Sequence, residues 1–105
     1  MTIDLLSTRR AGMRWHLMNA LDKARPIGAM DTLLLDVMRE IYPDVTANEL
    51  HTQMDYLEDK SMIEISRYPN GYWHGCLTCE GVDVVEYVSD CPVGVARPVK
   101  YWQGC

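Results

Sequence analysis

The stretch from Thr46 to Val88 constrains the fold most. A capped amphipathic helix leads there into two short apolar segments joined by a Pro-Asn-Gly turn, and a Leu77-Thr78-x-x-Gly81 step follows. Thr46 and Glu49 have capping-box spacing, in which the hydroxyl takes one orphan amide of the first turn and the carboxylate reaches back to another. Behind that start, Leu50, Met54 and Leu57 recur at spacings of four and three, which puts them on one helical face. His51, Thr52, Asp55 and Asp59 point elsewhere. Met62-Ile63-x-Ile65 predicts a short strand, Tyr68 to Tyr72 a turn and Trp73 to Leu77 the returning strand, with Asn70-Gly71 able to supply the positive φ angles of a tight hairpin. Thr78 then caps a helix running through Glu80 to Tyr87, with Val82, Val85 and Val88 as its apolar stripe. The order is helix, hairpin, helix.

Upstream, Leu5, Leu6, Met13, Leu17, Ala20, Leu21 and Ala24 approximate a helical stripe that must stop before Pro26, because a residue preceding proline is pushed out of the helical region. The spacing predicts a first helix from about Ile3 or later to Lys23. Gly28 marks a break, and a second helix over Leu33 to Ile41 follows, with Asp31 as its N-cap. Three helices and a two-stranded hairpin make a mainly α, α+β domain with the winged helix-turn-helix arrangement. Residues 1 to 91 form that domain. Residues 92 to 105 form an extended C-terminal arm, since Pro92 and Pro98 forbid regular helix there.

With 105 residues and 48% hydrophobic composition, the chain is long enough to bury one core without metal or disulfide staples. No run of about 18 apolar residues exists and charges interrupt Met1 to Arg25, so a soluble cytosolic protein without membrane contact is expected. The charge is zoned: residues 1 to 25 sum to plus three, 26 to 65 to minus seven and 66 to 105 to minus one. The first helix is basic and the middle of the chain is strongly acidic.

One resemblance emerges from the whole ensemble. Thr46 to Gly81, together with Asp83-Val84-Val85 and Pro92-Val93-Gly94-Val95-Ala96-Arg97-Pro98, resembles a family of small uncharacterised winged helix-turn-helix proteins of Mu-like phages and prophages, over roughly residues 3 to 98. The resemblance implies a winged-helix fold and a phage or prophage setting in the cytoplasm of a host cell. It implies no activity and no catalytic residue. The cysteines and tryptophans of Trp73 to Cys79 and of the Lys100 to Cys105 tail depart from the family pattern.

In a winged helix the third helix and the hairpin normally face nucleic acid, which assigns Asn48, His51, Thr52, Gln53, Tyr56 and Arg67 as candidate contacts to double-stranded DNA. A DNA-binding accessory protein or transcriptional regulator is therefore the first expectation. Against it, Glu49, Asp55, Glu58 and Asp59 share the helix with Lys60 alone, and like charge facing phosphates weakens binding. Arg9, Arg10 and Arg14 relieve this only if they lie on the same side. The alternative is a protein-protein interaction adaptor or dimerisation module that uses an acidic winged-helix face without DNA, its partner a phage or host protein. Met13, Trp15, Leu17 and Met18 on the first helix, with Tyr101-Trp102 in the tail, are the residue types enriched in interface cores, and they mark a candidate homodimer interface.

Cys76-x-x-Cys79 has metal-knuckle spacing, with His74, Cys91 and Cys105 as conceivable further ligands. A single such pair is a weak signal, and reduced thiols are the default in the cytosol. His16, His51 and His74 are too scattered to nominate a site. No metal or cofactor is assigned. The chain lacks a Gly-rich phosphate loop, a nucleophile elbow and a His-Glu-x-x-His helix, so an enzyme is not expected.

Overall fold

The computed structural model describes residues 4 to 99. Four helices pack with a three-stranded antiparallel sheet in an α+β domain: α1 (Leu5–Lys23), β1 (Ala29–Met30), α2 (Asp31–Ile41), α3 (Ala47–Asp59), β2 (Ile63–Arg67), β3 (Trp73–Leu77) and α4 (Cys79–Val85). The sheet order is β1-β3-β2. Among the described residues no helix is long and apolar enough to cross a membrane.

Helix α1 begins where the Asp4 carboxylate accepts the Ser7 amide at 3.1 Å, and it lies at the centre of the molecule. Met13, Leu17, Met18 and Leu21 are fully buried against Leu34 and Met38 of α2 and Leu50, Met54 and Leu57 of α3. Each such side chain contributes roughly 1.5–3 kcal/mol relative to exposure. Leu5 and Leu6, read as the start of the stripe, are exposed because they precede the point where α1 meets the other helices.

The sheet holds one strand more than the sequence predicted. Ala29 pairs with Gly75 and Met30 with His74, so the chain around Gly28 is a sheet edge and not a simple break. Gly28 makes this possible: its φ is +80°, and a Cβ there would stand 2.3 Å from the Gly75 carbonyl oxygen, a contact only glycine avoids. Two residues are too short a run for hydrophobic alternation to reveal. Helix α2 also starts earlier than expected. Its N-cap is Met30, which makes no side-chain cap bond, because Asp31 is the first helical residue and its carboxylate turns to His51.

For α3 the Thr46 hydroxyl accepts the Glu49 amide at 3.1 Å as the capping box requires, but the Glu49 carboxylate is bonded to Arg9 instead of reaching back. The helix ends in a Schellman motif without glycine. Ser61 takes φ +65°, and the Met62 amide donates to Leu57 O at 2.9 Å while Ser61 N donates to Glu58 O at 3.0 Å. The hairpin that follows runs in the register Ile63 to Leu77 and Arg67 to Trp73. At its turn, Gly71 has φ +89° and the Asn70 side chain accepts the Tyr72 amide.

Thr78 caps α4 by accepting the Gly81 amide at 3.0 Å. A second glycine-free Schellman turn, with Tyr87 at φ +63° and the Val88 amide on Asp83 O, stops the helix at Val85 rather than Tyr87. Beyond that turn Val88 is exposed, so of the expected stripe Val82 and Val85 pack half-buried against the core while Val88 does not, and the fully buried position is Val84. Beyond α4 the expected extended arm contains a turn, in which the Val95 amide donates to Pro92 O at 3.1 Å, and the segment is well anchored. Val95 is buried, the Ala96 amide donates to Ala11 O, and the Arg97 guanidinium donates to Val84 O and Ser89 O at 2.9 and 2.8 Å. Ile3, Lys100, Tyr101, Trp102 and Cys105 lie outside the described residues.

Candidate functional site

Helix α3 presents Asn48, Thr52, Asp55 and Asp59 in one exposed stripe, and every other polar residue of interest on it is tied to a neighbouring element. Gln53 is only 2% exposed. Its carboxamide oxygen accepts from Arg14 Nε at 2.7 Å, so it faces α1 and not a groove. Tyr56 lies beneath the same guanidinium, 3.6 Å from its ring centroid, and Arg14 also donates to Gly94 O of the arm at 2.9 Å. Desolvation lowers the pKa of Arg14, yet a guanidinium remains charged at any physiological pH. Gln53 and Tyr56 are thus structural contacts in this domain.

The opposite flank of α3 meets the hairpin. Arg67 on β2 donates to Asp55 Oδ1 at 2.6 Å and to Glu58 Oε1 at 2.9 Å, and its guanidinium stands 4.5 Å from the Trp73 ring centroid. The Glu58 and Asp55 hydrogen bonds raise the Arg67 pKa, and the Glu58 carboxyl is correspondingly held below its ordinary value. His51 stacks on Trp73 with 3.9 Å between centroids and 8° between planes. Its Nε2 lies 2.6 Å from Asp31 Oδ2. Of the six residues expected to touch DNA, Asn48 and Thr52 remain displayed with no interelement partner among the described residues. The Thr52 hydroxyl donates back to Asn48 O within the helix.

The basic zone at the N-terminus is likewise drawn inward. Arg9 bonds Glu49 and Asp44 at 2.8 and 3.0 Å and lies over Tyr42. Those bonds raise its own pKa and depress that of Asp44. Arg25 pairs with Asp22, Arg39 sits 3.7 Å from Asp36, and Arg97 is held by carbonyls and by the Tyr87 ring. Among the described residues Arg10 is the arginine with no ion pair or side-chain hydrogen bond. The α3 and hairpin face is therefore acidic in outward charge.

Met13, Leu17 and Met18, expected at a dimer interface, are 0% exposed within the single chain. The core positions of α1 leave them no surface for a partner. Trp15 is half-buried, edge-to-face with Tyr87 at 6.2 Å. Cys76, Cys79 and Cys91 are free thiols, and among the described residues no three His, Cys, Asp or Glu side chains cluster as metal ligands would. Burial raises the Cys91 thiol pKa.

Two residues that organise the face, Asp31 and Trp73, were not legible as such. Asp31 looked like a helix cap, and Trp73 like a family departure. A Trp directly preceding His74 in a strand opposite an arginine is a signal only once the register is known. No protein-family model matches the chain, and neither the curated proteins nor the solved structures include a significant match.

Proposed function

We propose that this chain is a winged-helix interaction module whose α3 and hairpin face docks on a basic protein surface, in the phage or prophage setting that the sequence resemblance implies. The winged-helix reading draws support from the element order α1-β1-α2-α3-β2-β3 and the sheet order β1-β3-β2. The observation that carries the choice of partner is the displayed stripe of α3: Asn48, Thr52, Asp55 and Asp59 include no cation, and the hairpin cation Arg67 is already bonded to Asp55 and Glu58. A duplex reader would need those cations free to meet phosphates. Asp55 and Glu58 share the single Arg67 guanidinium and Asp59 has no ion pair among the described residues, so the face keeps a net negative charge that favours lysine and arginine on a partner and steers its approach. With Met13, Leu17 and Met18 turned into the core, the proposal requires no second copy.

The competing reading is a DNA-binding regulator, for which the exposed Asn48 and Thr52 are the specific support. Fluorescence anisotropy with a random-sequence duplex and with a lysine-rich helical peptide, each at low and high salt, separates the two. The expected result is salt-sensitive peptide binding that weakens several-fold in an Asp55→Asn/Asp59→Asn variant, with no duplex binding. Salt-sensitive duplex binding that is lost in Arg10→Ala or Arg67→Ala would overturn the proposal in favour of the DNA reading.

A further inference from the structure

A cleft of about 180 Å³ opens between the start of α2, the first turns of α3 and the hairpin turn. Leu35, Ala47, Leu50 and Tyr72 contribute to its wall, and the exposed wall is almost entirely carbon. Asp31 and His51 also line it. Asp31 is only 6% exposed, and its two carboxylate oxygens differ. Oδ2 has His51 Nε2 at 2.6 Å, whereas Oδ1 is buried with no hydrogen-bond partner among the described residues. A buried carboxylate oxygen left unpaired is costly, and the N-terminal dipole of α2, whose first residue is Asp31, offsets that only in part.

We propose that this cleft binds a small molecule carrying one protonated primary amine on a compact apolar body. The wall sets the body: an apolar cavity of about 150 Å³ accommodates a single benzene ring, so one ring or a short branched chain fits here. Asp31 sets the head group. A cation compensates a desolvated carboxylate in a way that an alcohol does not, through both charge and N–H donors. Asp31 lines the cleft, so an ammonium seated there meets a carboxylate whose other hydrogen bond, to His51, is already made. No lining residue is a lysine or arginine, so an anionic ligand finds no counter-charge. Because Gly71 and Tyr72 belong to the hairpin turn and His51 stacks on Trp73, an occupant bridges the helices to the hairpin. The site is independent of which macromolecule meets the α3 stripe.

Amide chemical shifts of the full chain, followed during titration with benzylamine, toluene and benzoate, test this. Benzylamine is expected to move residues 31, 32, 50, 51, 71 and 72 saturably. Toluene binds at least about tenfold more weakly for want of the charge-assisted bonds, and benzoate produces no change. Asp31→Asn lowers benzylamine affinity by a similar factor. Ala47→Leu, a helix-compatible change at an exposed position on the rim, fills the cleft and abolishes binding with an otherwise native spectrum, which decides the matter even if Asp31→Asn fails to fold. Shifts scattered over the acidic surface, equal affinity for benzoate, or undiminished binding in Ala47→Leu would overturn the proposal.

Discussion

Two arginines reach onto α3 from opposite sides, and they hold it in different ways. Arg14 comes from α1, is partly desolvated, and bonds a neutral carboxamide and a carbonyl while covering Tyr56. Arg67 comes from the hairpin, has 42% of its side chain exposed, and bonds two carboxylates. The second has the stronger formal charge complementarity and the first the lower dielectric. Exposed ion pairs contribute little because water and salt screen them. A buried amide that loses its donor forfeits a hydrogen bond it cannot regain from solvent. The inner seam should therefore fix the position of α3, while the outer seam sets which charges the face displays.

The largest expected effect tests whether either seam matters beside the core beneath both. Met54 is fully buried, so Met54→Ala should cost about 2–5 kcal/mol in urea unfolding, more than removal of either arginine. A smaller loss than Arg14→Ala would mean that polar contacts and not packing hold α3. Next in size, Arg14→Ala should cost about 1–3 kcal/mol, since Gln53 is left buried without its partner. That loss should be nearly the same at low and high salt.

The smallest effect belongs to Arg67→Ala, expected within about 1 kcal/mol and shrinking as salt rises. Its pH dependence sharpens the contrast. Glu58 has its pKa depressed below the ordinary 4.5 by Arg67, so its contribution is fully present above that pH and is lost as pH falls through the folded value. The difference in stability between the native chain and Arg67→Ala should accordingly narrow on acidification below pH 4.5. A gap that stays constant, followed by thermal unfolding across that range, would show that Arg67 acts through Trp73 packing and not through the carboxylates.

The candidate face was legible in outline and not in detail. Helix α3, its Thr46 cap and the Asn70-Gly71 turn could be placed because their signals are bonds and contacts between residues a few positions apart. The expectation that Gln53, Tyr56, His51 and Arg67 stand free did not hold. A helical wheel gives the angle at which a side chain leaves its helix, but not what stands opposite it. Gln53, three residues after Leu50 and four before Leu57, lies beside the apolar face, so its burial was legible in the spacing; His51 leaves α3 off that face, and Asp31 and the hairpin Trp73 occupy its direction.

Local physics alone thus determined the amphipathic α3, the hairpin turn, the start of α4 and the acidic balance of the middle of the chain. Only the tertiary structure decided the short strand at Ala29–Met30 and which arginine met which partner. Those features depend on groups far apart in sequence. Arg14 meets Gln53 across 39 positions and Asp31 meets His51 across 20, so their energies exist only after the helices have packed.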